Sequence, residues 1–234
     1  MKLPTLKKSL LLMLLFSLVS IAYSQSDCSQ YYPLTEGAKF QYTMYDTKGK
    51  IEGTSNYNIA EVSTSGNMTN ATMAVALKDK KGKETFTTDY KFSCSGDKVV
   101  IDYQSLIPGE MFKAYEDMEV TITGTDLELP NNLKVGQELA DANVTVKMNM
   151  GGMSMDMTVN QINRKVEKKE SVTTPAGTFD CMVVYNETES KMMTANHRFP
   201  SRIWLAEGVG MIKQETWNKN GKLLSSMVLT SHSK

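Results

Sequence analysis

Histidine is nearly absent from this 234-residue chain, with only His197 and His232. Acid–base or nucleophilic catalysis needs an activated group beside a positioned partner. Neither histidine has one nearby in the sequence: His197 runs into Arg198-Phe199-Pro200, and His232 falls almost at the C-terminus. Cysteine is scarce too. Cys28, Cys94 and Cys181 form no CxxC pair and no cysteine–histidine spacing of the zinc kind. Neither sign of charge is in excess, with 26 lysines and arginines against 26 acids, which argues against nucleic acid as a partner. Beyond Val19 no apolar run is long enough for a transmembrane helix. Helical periodicity never persists over a long window, and no Pro-, Gly- or Ser-rich linker divides the chain. The carboxylates form two spaced pairs, Asp126 with Glu128 and Glu187 with Glu189, and solvent-facing alternation on a strand accounts for both. These absences predict a protein that is not an enzyme and uses no cofactor.

What is present begins with an export signal. Lys2, Lys7 and Lys8 precede the apolar run Leu10 to Val19, and Ala22-Tyr23-Ser24 offers small residues for cleavage, so residues 1–24 read as a signal peptide cut near Ser24. Gln25-Ser26-Asp27 ahead of Cys28 lacks the small and aliphatic residues of a lipobox. Residues 25–234 then form one domain, periplasmic or extracellular, with 23 basic against 26 acidic residues once the three signal lysines are gone. In an oxidising compartment three cysteines suggest one disulfide and one leftover thiol. Sequence alone leaves the pairing open. Cys28 with Cys94 is favoured because Cys28 lies in an otherwise loose N-terminus, whereas Cys181 belongs to the apolar alternation Phe179, Cys181, Val183, Tyr185, where a free thiol packs well.

Alternation dominates the rest. Phe40, Tyr42 and Met44 share one strand face; so do Met73, Val75 and Leu77, and again Phe86, Thr88, Tyr90, Phe92 and Cys94. One turn formula recurs between such segments: Asp46-Thr47-Lys48-Gly49-Lys50, Asp79-Lys80-Lys81-Gly82-Lys83 and Asn218-Lys219-Asn220-Gly221-Lys222. Asp or Asn can cap its own turn, and the glycine supplies the positive φ that closes it. Pro175-Ala176-Gly177 makes a sharp corner, and Glu207-Gly208-Val209-Gly210 a tight bend. Glu110 to Asp117 could hold one short helix. The sum is a mainly β protein, a single antiparallel meander of about a dozen strands curling into a barrel or half-barrel, with at most one or two short helices.

The most regular stretch is Val144 to Val159, VTVKMNMGGMSMDMTV. A two-residue turn at Gly151-Gly152 sets Met150 opposite Met153, Met148 opposite Met155, Val146 opposite Met157 and Val144 opposite Val159, so one face is wholly apolar. Lys147 with Asp156 and Thr145 with Thr158 fall on the other face as compatible cross-strand pairs. The apolar face has three readings. It can be sheet core. It can line an adaptable groove for an acyl chain, a lipid-like small molecule or an apolar segment of an envelope protein, because unbranched thioethers repack around varied shapes. It can also hold Cu(I) between Met148, Met150, Met153 and Met155. Val144, Val146 and Val159 extend the face without ligand atoms, which disfavours copper. The groove, with Met148, Met150, Met153, Met155, Met157, Val144, Val146 and Val159 as its candidates, is the functional expectation. A structural or interaction protein of the envelope that binds no ligand is the alternative.

The C-terminal third carries further motifs: NRKVEKKESVTTPAGTFDC, WLAEGVGMIKQE and NKNGKL. In these the chain resembles the TapB-like exported proteins, and through the PAGTF corner (Pro175 to Phe179) and the WxAxGVGx[IV]K segment (Trp204 to Lys213) a wider set of uncharacterised envelope proteins. Tyr32-Pro33-Leu34 and Glu36-Gly37 extend the likeness toward the N-terminus. The resemblance implies a curved antiparallel sheet similar to that of lipoprotein carriers, which hold acyl chains on a concave apolar face. It supplies no catalytic or ligand residues.

Overall fold

The computed structural model describes residues 28–106, 119–150, 153–192 and 195–234. The expected signal peptide, the short helix that Glu110 to Asp117 could hold and the Gly151-Gly152 turn lie outside them. The strands are β1 (Lys39–Tyr45), β2 (Ile51–Ser65), β3 (Met68–Asp79), β4 (Glu84–Ser95), β5 (Lys98–Ile101), β6 (Glu119–Thr125), β7 (Leu127–Pro130), β8 (Ala142–Met150), β9 (Met153–Thr174), β10 (Gly177–Met192), β11 (Ala195–Ala206), β12 (Gly210–Trp217) and β13 (Leu223–Ser233). Among the described residues the only helical element is a 3-10 turn at Tyr103–Leu106. All thirteen strands join one antiparallel sheet in the order β6-β8-β9-β10-β11-β12-β13-β1-β2-β3-β4-β5-β7. The expected barrel or half-barrel is therefore a nearly closed barrel.

Its edges are β6 and β7, and these are consecutive in the chain, separated only by Asp126. One segment thus pairs with β8 through its first half and with β5 through its second. The Asp126 carboxylate accepts the backbone N–H of Tyr103 at 3.0 Å, holding the crossing point.

The lysine–glycine turns share one mechanism. The Oδ1 of Asp46, Asp79 or Asn218 accepts the backbone N–H groups two and four residues on, at 2.8–3.0 Å. Gly49, Gly82 and Gly221 take φ of 73°, 80° and 75°. An L side chain would be strained there, so the turn chemistry sets where β1, β3 and β12 end.

The first described residues, 28–34, form a strap rather than a strand. Cys28 is disulfide-bonded to Cys94 of β4, across 66 residues, and Cys181 is a buried free thiol. Asn131, itself buried, accepts from the Gln30 N–H at 3.0 Å and donates to the Cys28 carbonyl at 2.7 Å. On the opposite side the Gly208 N–H donates to the Gln30 carbonyl at 2.6 Å. A Cβ at Gly210 would stand 3.3 Å from the Tyr31 carbonyl, so a glycine there lets the strap lie close to the β11–β12 bend.

Strand β9 is broken by a bulge. Its pairing with β10 shifts at two places, between Val183 and Val184 and between Tyr185 and Glu187; at the second, Asn163 adopts φ +54°, the one non-glycine residue with positive φ among those described. In a regular strand Gln161 and Arg164 would face opposite sides. The bulge turns Arg164 to the side Gln161 faces.

Two outcomes follow from these constraints. The Cys28→Ser/Cys94→Ser double variant should lose about 2–4 kcal/mol of stability in urea unfolding, the value usual for losing a loop closure of this kind. Asn163→Gly should be nearly neutral, whereas Asn163→Val should cost about 1–2 kcal/mol, because a β-branched residue resists the left-handed conformation.

Candidate functional site

The inner faces of β1 to β5 carry apolar rungs set by the register. Phe40, Tyr57 and Val75 align across β1, β2 and β3; Ile59, Met73 and Tyr90 across β2, β3 and β4; and Ala71, Phe92 and Ile101 across β3, β4 and β5. Opposite them stand Ile203 of β11 and Met211 of β12, and the strap adds Tyr32, Pro33 and Leu34. Between these walls lies an apolar cavity of about 170 Å³. Tyr32 meets Phe92 at 5.4 Å and Tyr42 meets Tyr57 at 4.9 Å between ring centroids. The Tyr42 hydroxyl donates to the Met211 carbonyl at 2.9 Å, which ties the two walls together. Burial pushes the Tyr32, Tyr42, Tyr57 and Tyr90 phenols above the usual tyrosine value, Tyr57 to about 12. They are neutral donors at physiological pH, not bases.

A second cavity of about 150 Å³ adjoins the first and shares Tyr32, Ile101, Ile203 and Gln214 with it. Its chemistry is different. Asn186 and Thr188 of β10, Ser201 of β11 and Gln161 and Arg164 of β9 line it. Ser201 donates to the Asn186 Oδ1 at 2.7 Å, Asn186 Nδ2 donates to the Gln161 Oε1, and Gln161 Nε2 donates to Thr188 Oγ1 at 3.0 Å. Arg164 is 7% exposed. Its Nη2 donates to the Glu128 carbonyl at 2.9 Å and its Nη1 to the Ala140 carbonyl. Burial lowers the Arg164 pKa, against the fields of Tyr32, Asp141 and Glu128. Leu127, Leu129, Val184 and Leu205 complete the lining of this second cavity, so the barrel interior has an apolar cavity and a mixed, partly polar one meeting at Tyr32, Ile101, Ile203 and Gln214.

The methionine hairpin pairs in the register its alternation predicts, from Val144 opposite Val159 to Met150 opposite Met153. Strand β6 extends it, so that Val120, Met148 and Met155 form one rung and Ile122, Val146 and Met157 the next. Val144, Val146 and Met148 are buried, Met155, Met157 and Val159 half-buried, and Tyr103 packs against the group. This is a cluster separate from the main core, and none of these residues lines the apolar cavity. The two histidines lie apart from one another in their surroundings: His197 is exposed and stacks on Phe199, while His232 sits against Phe40 and Phe179. The spaced carboxylates have structural partners. Glu128 pairs with Lys98 at 2.6 Å; Glu187 and Glu189 share Arg198, and Glu189 also meets Lys191 at 2.9 Å.

Sequence reading passed over Arg164, which looks like one more charge in a solvated run. A signal was nevertheless there. The buried or half-buried apolar positions of β9 are odd-numbered up to Val159, yet Val166 is fully buried at an even one, and such a change of parity within one strand requires a bulge between them.

The fold is shared with solved structures. A crystal structure of a protein from Bacteroides fragilis, described as exported and as having a YmcC-like fold, matches with a TM-score of 0.68 at 21% identity, covering 88% of this chain and 100% of that one. One from Parabacteroides distasonis, described as a lipoprotein, matches with a TM-score of 0.70 at 25% identity and the same coverage. No curated protein matches the sequence. The DUF3108-like family model matches residues 35–229, nearly all of the barrel from just ahead of β1 to within β13, and the chain belongs to the DUF3108-like family.

Proposed function

We propose that the protein is an exported, non-catalytic binding protein that holds a hydrophobic, acyl-like ligand inside its barrel. The observation that carries this reading is the apolar cavity of about 170 Å³ between the strap and strands β1 to β5. Protein interiors are close-packed, and an apolar, partly open cavity of this order offers an apolar guest space that the packed core does not fill. Its walls are aromatic and aliphatic, with few polar groups to fix orientation, the composition usual for small-molecule sites. Export is supported by the signal sequence, by the Cys28–Cys94 disulfide and by the descriptions of the structural relatives. The methionine face fits the same reading as an apolar lip. Met155, Met157 and Val159 alternate on the side of β9 that continues to Gln161 at the polar cavity. The narrower likeness to TapB-like proteins and to lipoprotein carriers agrees with a ligand of this class.

Native mass spectrometry of the gently extracted protein should detect a co-purified apolar adduct. The Ile203→Trp variant, which fills the boundary between the cavities, should lose that adduct while keeping its β-type circular dichroism. A clean apo mass for the unmodified protein, together with a reproducible cross-linked partner in intact cells, would instead favour an envelope interaction role without ligand. Met148→Leu and Met155→Leu should each cost under about 1.5 kcal/mol, as volume-conserving exchanges, and should leave the adduct in place. Loss of the adduct in either variant would move the binding surface onto the hairpin.

A further inference from the structure

Arg164 is the feature that apolar binding alone does not use. It is 7% exposed and lines the polar cavity. Of the guanidinium's five N–H donors, the hydrogen bonds seen are one from Nη1 to Ala140 and one from Nη2 to Glu128, both to backbone carbonyls. Carbonyls satisfy donors but bring no countercharge. Among the described residues no carboxylate pairs with Arg164: Asp141 and Glu128 act on it only through their field, and the Glu128 carboxylate is held by Lys98 at 2.6 Å. Bridging two carbonyls at the barrel seam needs only a neutral amide. A buried, permanently charged fork beside a cavity is costly unless something supplies the opposite charge.

The surroundings restrict what that can be. Gln161, Asn186, Ser201 and Thr188 are hydrogen-bonded to one another, so Arg164 is left as the charged group of the polar wall. Beyond Tyr32, Ile203 and Gln214 the space becomes apolar. The interior therefore offers one cation in a cavity of mixed lining, where Leu127, Leu129, Val184 and Leu205 also stand, next to an apolar cavity.

We infer that the ligand is a single-chain carboxylate amphiphile, with its carboxylate on the Arg164 guanidinium and its tail in the apolar cavity. This deepens the interior-binding reading and rests on it. The planar fork of arginine matches the two oxygens of a carboxylate, and the interaction strengthens where water is excluded. An apolar cavity of about 170 Å³ is close to the size that admits a benzene ring, which points to a medium-length chain.

Octanoate, 1-octanol and octylamine carry one tail and three head groups, and titration calorimetry of each into the delipidated protein separates the parts of the inference. Octanoate should bind at least about tenfold more tightly than octanol, the usual gain from a charge-assisted bond, and octylamine more weakly than octanol. Arg164→Gln should bring octanoate to the level of octanol without weakening octanol. Arg164→Lys, which keeps the charge but not the fork, should retain part of the preference. If Arg164→Gln does not fold, the order of the three ligands on the unmodified protein and the Arg164→Lys value still decide. Equal binding of octanoate and octanol, or a preference for octylamine, would overturn the carboxylate assignment and leave apolar binding standing. Failure of all three to bind would overturn the interior site itself.

Discussion

An antiparallel sheet that does not close ends in two rows of unpaired backbone groups, and the rest of this molecule depends on how those rows are brought together. The chain supplies both edges from one segment, β6 and β7, with Asp126 at the crossing. Arg164 reaches the seam from β9 and takes up a carbonyl on either side, that of Glu128 in β7 and that of Ala140 just ahead of β8. Space is as important as bonding here. A Cβ at Gly124 would stand 2.3 Å from the Asn143 carbonyl and 2.9 Å from the Tyr103 ring, so only glycine lets β6 approach β8 under that ring. Closure is what converts a long meander into a container with an inside.

Once closed, the inside is divided by strand rather than by depth. Strands β1 to β5 contribute aromatic and aliphatic rungs, while β9, β10 and β11 contribute amides, hydroxyls and one guanidinium beside the aliphatic Val184, Ile203 and Leu205. The strap works across this division. Anchored by the disulfide, by Asn131 and by Gly208, it carries Tyr32 to the place where the two halves meet. The bend Glu207-Gly208-Val209-Gly210 and the strap residues Tyr32-Pro33-Leu34 are therefore parts of one contact. Two sequence motifs far apart in the chain serve one packing requirement.

Much of the architecture was legible because a period of two leaves little freedom. The apolar faces of β1, β3 and β4, the three Asx-glycine turns and the register of the β8–β9 hairpin follow from residue types that act on their immediate neighbours. The interior site was not legible in the same way. Phe40, Tyr90 and Phe92 read as ordinary strand residues, and that they border an unfilled space depends on how far β11 and β12 stand across the barrel. Methionines attracted attention by their density in one hairpin. Density is a local property, whereas a cavity is a property of walls that come from distant parts of the chain.

The bulge at Asn163 joins these two views of the chain. Ahead of it, β9 carries Met155, Met157, Val159 and Gln161 on one face; behind it, the same side receives Arg164 and Val166. Without the extra residue the strand would continue in phase, Arg164 would turn away from the side of Gln161, and the seam carbonyls would lose their donor. A single residue in a left-handed conformation thus lets one strand present, in order, a thioether face, an amide and a cation. The departure from strict alternation is accordingly where barrel closure and the chemistry of the site become the same structural feature.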